Sequence, residues 1–181
     1  MDQQKGDEAQ RIRARLERLL RAGIRIYGER ELNRVLQEVV DSAREVTEAR
    51  YAALGILDAS GSGLATFVMS GLTPDEHARI GALPQGKGIL GLLIKDPRPL
   101  RLADLTKHPH SHGFPPNHPP MRSFLGVPVV GRGGAIGNLY LTEKIGTAAF
   151  TDEDEAIAVM LAAQAAGAVE NARLRGELKA L

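Results

Sequence analysis

The sequence predicts an α+β domain, an antiparallel sheet with helices packed on it and long helices at both ends of the chain. Three observations carry that expectation. Apolar residues recur at helical spacing through residues 12–46 and again after residue 151. Between these stretches lie short apolar runs rich in β-branched and aromatic residues, broken by glycine-dense turns. The resulting order is helix, helix, hairpin, short helices, strand, loop, hairpin, long helix.

Composition narrows the function. With 181 residues the chain is one domain of ordinary size, with enough length for a real core. The 23 Lys and Arg nearly cancel the 22 Asp and Glu, leaving a net charge of +1, so no broad basic field argues for nucleic acid or an anionic membrane. Zero cysteines exclude disulfides, thiolate metal sites, cysteine nucleophiles and thioether-linked bilins or c-type haem. The chain is compatible with a reducing cytoplasm, and cytoplasmic localisation is expected. No apolar run approaches the length of a membrane span, and the polar Met-Asp-Gln-Gln-Lys start is no signal peptide.

The first helix places Ile12, Leu16, Leu19, Leu20, Ile24 and Tyr27 at helical spacing, with Arg11, Arg13, Arg15, Arg18, Arg21 and Arg25 filling much of the remainder. A basic surface for phosphate is one reading. The interleaved Glu8 and Glu17 favour the solvated face of a packed or paired helix, so residues 1–29 are expected to form an amphipathic signalling and dimerisation helix. Gly28 breaks it. Leu32, Val35, Leu36, Val39, Val40, Ala43 and Val46 then repeat the pattern in a second helix that should pack on the sheet.

Residues 51–57 and 64–69 read as a hairpin around the turn-forming Asp58-Ala-Ser-Gly-Ser-Gly63. Thr73-Pro74-Asp75-Glu76 offers a capping hydroxyl, a proline at the first helical position and a glutamate at the third, so a short helix to about Ile80 follows, with His77 exposed and without a role. Gly86-Lys87-Gly88-Ile89-Leu90-Gly91 matches the dinucleotide pattern G-x-G-x-x-G, but the strand before it and the ribose-binding acid after it are missing. The glycines read instead as the start of a short, closely packed helix over 89–95, ended by Asp96-Pro97-Arg98-Pro99. A short strand at 100–102 leads into a loop. Residues 124–130 and 135–142 form a second hairpin, apolar on both faces as in a central sheet position. Thr151 caps the last helix, with Asp152, Glu153 and Asp154 complementing its positive end. Leu174, Leu178 and Leu181 carry an apolar stripe to the chain end, as if something follows.

The stretch 106–130 is the centre of functional interest. Pro115, Pro116, Pro119 and Pro120 leave the loop few conformations, so His118, between Asn117 and Pro119, is aimed rather than floppy. A neutral imidazole on a pre-ordered loop is a metal or haem-iron ligand, or else it caps or packs beneath a tight loop. Alternation along 135–142 puts Ile136, Asn138, Tyr140 and Thr142 on one side. Tyr140 then points its hydroxyl into whatever lies there, or is an ordinary core or rim tyrosine. His108, His110 and His112 recur at period two and could share one side of an extended segment and hold a divalent metal, although no cysteine or tight carboxylate cluster completes a site; the alternative is a solvated loop. Asp104 is a turn or cap residue.

Four segments carry a family resemblance: Ala49-Arg-Tyr-Ala-Ala-Leu-Gly-Ile-Leu57, Pro97-Arg-Pro-Leu-Arg-Leu-Ala-Asp104, Gly113-Phe-Pro-Pro-Asn-His-Pro-Pro-Met-Arg-Ser-Phe-Leu-Gly-Val-Pro128 and Gly137-Asn-Leu-Tyr-Leu-Thr-Glu-Lys144. Together they resemble a GAF domain over residues 30–175, with 176–181 starting a C-terminal linker helix. The resemblance is to actinobacterial sensor histidine kinases, in particular the first GAF domain of the mycobacterial dormancy oxygen- and redox-sensing kinases. It implies a GAF fold with a central antiparallel sheet of five or six strands. It further implies b-type haem, with His118 as proximal iron ligand and Tyr140 on the distal side, hydrogen-bonding to an iron ligand or its water network. His110 and His112 depart from the family loop, which has small or apolar residues there.

The expected function is therefore a regulatory sensor of a two-component histidine kinase type, binding haem, responding to a diatomic gas or the iron redox state and relaying it through a homodimer of terminal helices to a downstream kinase or effector. The alternative is a haem-free GAF domain acting as a dimerisation and relay element or holding another small molecule. Autonomous catalysis is not expected: there is no G-x-S-x-G or H-E-x-x-H, and the GAF-related methionine sulfoxide reductase activity depends on cysteines that this chain lacks.

Overall fold

The computed structural model describes residues 2–28, 31–73, 75–76, 78, 88–111 and 118–175. His77, the Gly86-Lys87 pair, His112, loop residues 113–117 and Leu178 and Leu181 lie outside these, as do the side chains of Glu8, Ile24, Arg25 and Tyr27.

Helix α1 (Asp2–Gly28) and helix α2 (Leu32–Val46) precede strands β1 (Ala49–Leu57) and β2 (Leu64–Ser70). Helix α3 (Gly88–Lys95), strand β3 (Leu100–Leu102) and a 3-10 turn (Leu105–Lys107) follow. Strands β4 (Phe124–Gly131) and β5 (Gly134–Lys144) and helix α4 (Asp152–Leu174) complete the order. The strands form one five-stranded sheet in the order β2-β1-β5-β4-β3, antiparallel throughout. The expected α+β architecture is what the chain adopts, with five strands.

Strand alternation sorts the apolar residues onto two sides. Ala52, Leu54, Ile56, Leu125, Val127, Leu139 and Leu141 face α2 and α4 and, with Leu36, Val39, Val40 and Leu161, make the main core. On the opposite side Tyr51, Phe124 and Tyr140 meet α3 and the loops in a smaller apolar layer. The helix ends follow the residues foreseen for them. Thr73 and Glu76 make a reciprocal cap, with Glu76 N donating to Thr73 Oγ1 at 3.2 Å and Thr73 N to Glu76 Oε2 at 2.8 Å. Thr151 and Asp154 make a second one at α4, so Asp154 is a capping partner and not only a charge near the helix end.

Helix α1 departs from its expected pattern. Leu19, Ala22 and Ile26 join the main core, whereas Ile12, Leu16 and Leu20 form a separate, exposed stripe. Arg15 and Arg18 are not on the solvated face; both turn inward, because carboxylates at Asp154 and Glu48 await them there. This arrangement draws α1 against the body of the domain along its C-terminal half.

Close approach in the middle of the sheet requires glycine at one position. A Cβ on Gly137 of β5 would run into the Gly55 carbonyl oxygen of β1. Gly137→Ala should lower unfolding free energy by about 2–4 kcal/mol in urea denaturation, while Gly133→Ala at the open hairpin turn should change it by less than about 0.5 kcal/mol.

Candidate functional site

The candidate site is the apolar layer on the α3 side of the sheet, and its floor is built by β5. Tyr140 pairs across the sheet with Gly126 of β4 and Ala53 of β1, so small residues on both sides leave room for its ring. The ring stacks on Phe124, with centroids 6.2 Å apart and planes 23° from parallel. Although the ring keeps partial exposure, its hydroxyl sits deep enough that burial pushes the phenol well above its ordinary range.

The two polar neighbours of Tyr140 on the same face act as ties. Asn138 Nδ2 donates to the Leu90 carbonyl at 3.2 Å, fastening α3 to the floor. Thr142 Oγ1 donates to Met121 Sδ at 3.1 Å, fastening the end of the histidine loop. Over the remaining gap, Leu93 of α3 fills the space that a side chain at Gly126 would take.

His118 is half-buried, and its Nδ1 lies 2.8 Å from the Pro119 carbonyl oxygen. A carbonyl only accepts, so Nδ1 carries the proton and the basic lone pair resides on Nε2. This is the tautomer that an imidazole ligating through Nε2 adopts, with the backbone carbonyl orienting the ring. Met121, three residues on, belongs to the same apolar layer as Tyr140 and so connects the two expected site residues.

His108 and His110 do not lie along an extended segment. Ser111 N donates to the His108 carbonyl at 2.8 Å and His110 N to His108 Nδ1 at 3.3 Å, curling the chain into a turn. The rings of His108 and His110 stand 5.6 Å apart and tilted by 37°. Among the described residues no group of three or more histidine or acidic side chains could hold a metal ion. Asp104 caps the 3-10 turn by accepting from Thr106 N at 3.0 Å, and the Thr106 hydroxyl foremost holds its carboxyl below the usual range.

Sequence reasoning placed Asn138, Tyr140 and Thr142 on one face but assigned no partners to the first and last. It also passed over Arg101 of β3, which pairs with Asp152 and Glu155 in the first turn of α4. An arginine alternating with Leu100 and Leu102 was the available signal.

This sheet, with a helical layer on one side and a loop-covered apolar layer on the other, is the architecture of a GAF domain. The GAF domain family model matches residues 29–170, and the chain belongs to that family. The fold is similar to the GAF domain of a phosphoenolpyruvate-protein phosphotransferase from Coxiella burnetii, at 27% identity and TM-score 0.78 over 91% of this chain and 97% of that one. It is similar to the GAF domain of a protein assigned as a sensor histidine kinase from Pseudomonas syringae pv. tomato, at 20% identity and TM-score 0.65 over 96% and 97% of the two chains. A free methionine-R-sulfoxide reductase from Neisseria meningitidis also shares the fold, at 19% identity and TM-score 0.71 over 89% and 91%. The present chain has no cysteine with which to supply thiol chemistry. No helix among the described residues is long and apolar enough to cross a membrane.

Burial of the Tyr140 phenol has a thermodynamic consequence. Because its folded pKa lies above the ordinary 10.0, its contribution to stability is complete below about pH 10 and is lost as pH rises toward the folded value. Wild-type protein should lose more stability between pH 9 and pH 11, about one unit below and above the ordinary 10.0, than Tyr140→Phe, as read from urea midpoints at the two pH values.

Proposed function

We propose that this GAF domain is a haem-based sensor in which His118 would hold the iron and Tyr140 would meet a ligand bound to it. The observation that carries the reading is the His118–Pro119 hydrogen bond, which orients a half-buried imidazole through Nδ1 on a proline-flanked segment leading into the apolar layer. The donor set fits the group: one neutral imidazole, apolar side chains for a macrocycle and a phenol that stays protonated at any physiological pH. Bound b-type haem would supply an iron that takes a diatomic gas or changes redox state. His118 would hold and orient it, the leucines of α3 would exclude water, and the Tyr140 hydroxyl would donate a hydrogen bond to a ligand on the iron. Admitting a macrocycle requires Leu93 to leave its seat over Gly126.

Haem-reconstituted wild type should show a stoichiometric Soret band that shifts with dithionite and carbon monoxide. His118→Ala should lose that band while keeping its far-ultraviolet circular dichroism; retained haem would refute the ligand assignment. Tyr140→Phe should keep haem and alter ferrous autoxidation by more than about threefold.

The output in this reading passes through the terminal helices of a homodimer to a kinase or other effector domain, in a two-component system. Supporting it are the exposed Ile12, Leu16 and Leu20 at four-residue intervals on α1 and Val159, Met160 and Leu174 on α4, apolar surface that a second copy would cover. The ion-pair ladder Arg13–Glu17–Arg21 flanks the α1 stripe. Leu16→Glu should shift the mass measured by light scattering from dimer to monomer; an unchanged dimer would place the interface elsewhere.

A second reading rests on the closed packing of the layer. Leu93 over Gly126 and Phe124 on Tyr140 fill the site with the protein's own side chains, as in a haem-free relay domain or one that takes a smaller apolar ligand. A flat visible spectrum after reconstitution would favour it.

A further inference from the structure

The most heavily charged interior of the described structure lies at the far end of the sheet from the hairpin turn, where α1, β5 and α4 converge. Asp154 has no exposed surface at all. Its Oδ2 accepts from Thr151 N at 2.9 Å and Thr151 Oγ1 at 3.1 Å, closing the α4 cap. Oδ1 accepts from Arg15 Nη2 of α1, and Lys144 Nζ at the end of β5 stands 3.4 Å away. The Lys144 side chain, 8% exposed, also donates to the Thr47 carbonyl at 2.7 Å and lies 3.6 Å from Glu48, which itself meets Arg18 of α1. One carboxylate therefore caps α4, anchors α1 and neutralises the last residue of the central strand.

Two features make the hold on α1 reversible in character. The Arg15 side chain is 22% exposed, so water reaches the edge of the contact. Buried Nε atoms of Arg15 and Arg18 have no hydrogen-bond partner in the structure, a cost of docking that water would relieve on release.

The same cluster is hydrogen-bonded to the end of the His118 loop. Lys144 N donates to Ser123 Oγ at 2.8 Å, Glu143 N to the Ser123 carbonyl at 3.0 Å, and Arg122 N to the Glu143 carboxylate. Glu143 holds a left-handed backbone with φ of 58°, a conformation that non-glycine residues adopt under constraint. Residues 121–123 and the end of β5 are consequently fastened as one unit.

We propose that α1 is a detachable strap held on the domain by Asp154 through Arg15, and that residues 121–123 set the strength of that hold through Lys144. This rests on the reading of the terminal helices as the output, and it names the residues through which a rearrangement of the histidine loop reaches α1. Loop displacement moves Ser123, Ser123 moves Lys144, and a Lys144 drawn from Asp154 leaves the carboxylate to Arg15 alone, whereas a Lys144 pressed closer competes with Arg15.

Hydrogen–deuterium exchange on the ligand-free full chain tests both halves without involving any cofactor. Arg15→Gln should speed exchange of amides in residues 10–23 about tenfold and leave β4 and β5 unchanged, and Arg15→Lys should restore part of the protection. Unaltered α1 exchange in Arg15→Gln, or an equal rise in every segment, would overturn the strap. Ser123→Ala, which removes the acceptor of Lys144 N without touching α1, should change α1 exchange by at least about threefold. No change there would overturn the link to the loop. Because no ligand is present, these outcomes are independent of whether His118 binds haem.

Discussion

The buried carboxylate of Asp154 is the interaction on which the helical side of the domain depends. A charge removed from water is tolerated only when its acceptor sites are filled, and here they are filled from three directions: the Thr151 cap, Arg15 and Lys144. Removing one partner of such a cluster typically costs about 3–5 kcal/mol when both charges are fully buried, and less where, as at Arg15, solvent screens part of the contact. The arrangement thereby ranks its members. The cap belongs to the permanent structure, and of the two cations Arg15, with its side chain 22% exposed against 8% for Lys144, is the one that water can more readily replace.

Strand β5 organises the opposite side. Lying between β1 and β4, it presents Leu139 and Leu141 to the helices and Asn138, Tyr140 and Thr142 to the α3 side. Two of these three polar residues hold covering elements in place, and the third carries the phenol that burial keeps protonated. Any ligand reaching the sheet must contend with the Leu90 and Met121 ties before it meets Tyr140. The covering layer and the floor are therefore not independent parts, since β5 supplies both the Tyr140 surface and the ties that close over it.

The features legible in the sequence were those set by local chemistry. Thr73 with Glu76 read as a capping box because a hydroxyl and a carboxylate three residues apart can reach each other's backbone. Thr151 read as the cap of α4, whereas Asp154, which makes the return bond, read only as a charge near the helix end. The face of β5 was readable because side chains alternate strictly. Features decided by distant partners were not readable. Arg15 looked like another solvated arginine because the carboxylate that turns it inward is 139 residues away. The histidine run looked extended because period two was all that composition offered, whereas a backbone hydrogen bond from Ser111 to His108 curls it. For His118 the aim of the ring was expected from its prolines, yet the tautomer emerged only from the position of the Pro119 carbonyl.

Strand β3 pairs with β4 only from Phe124 to Gly126, so the remainder of β4 is an outer edge. Pro128 falls in that open section and removes a donor that a passing strand would need, and the register shifts again between Val129 and Val130. An extended peptide laid along this margin would find an incomplete ladder. The sheet is thereby closed to growth by one more strand alongside β4.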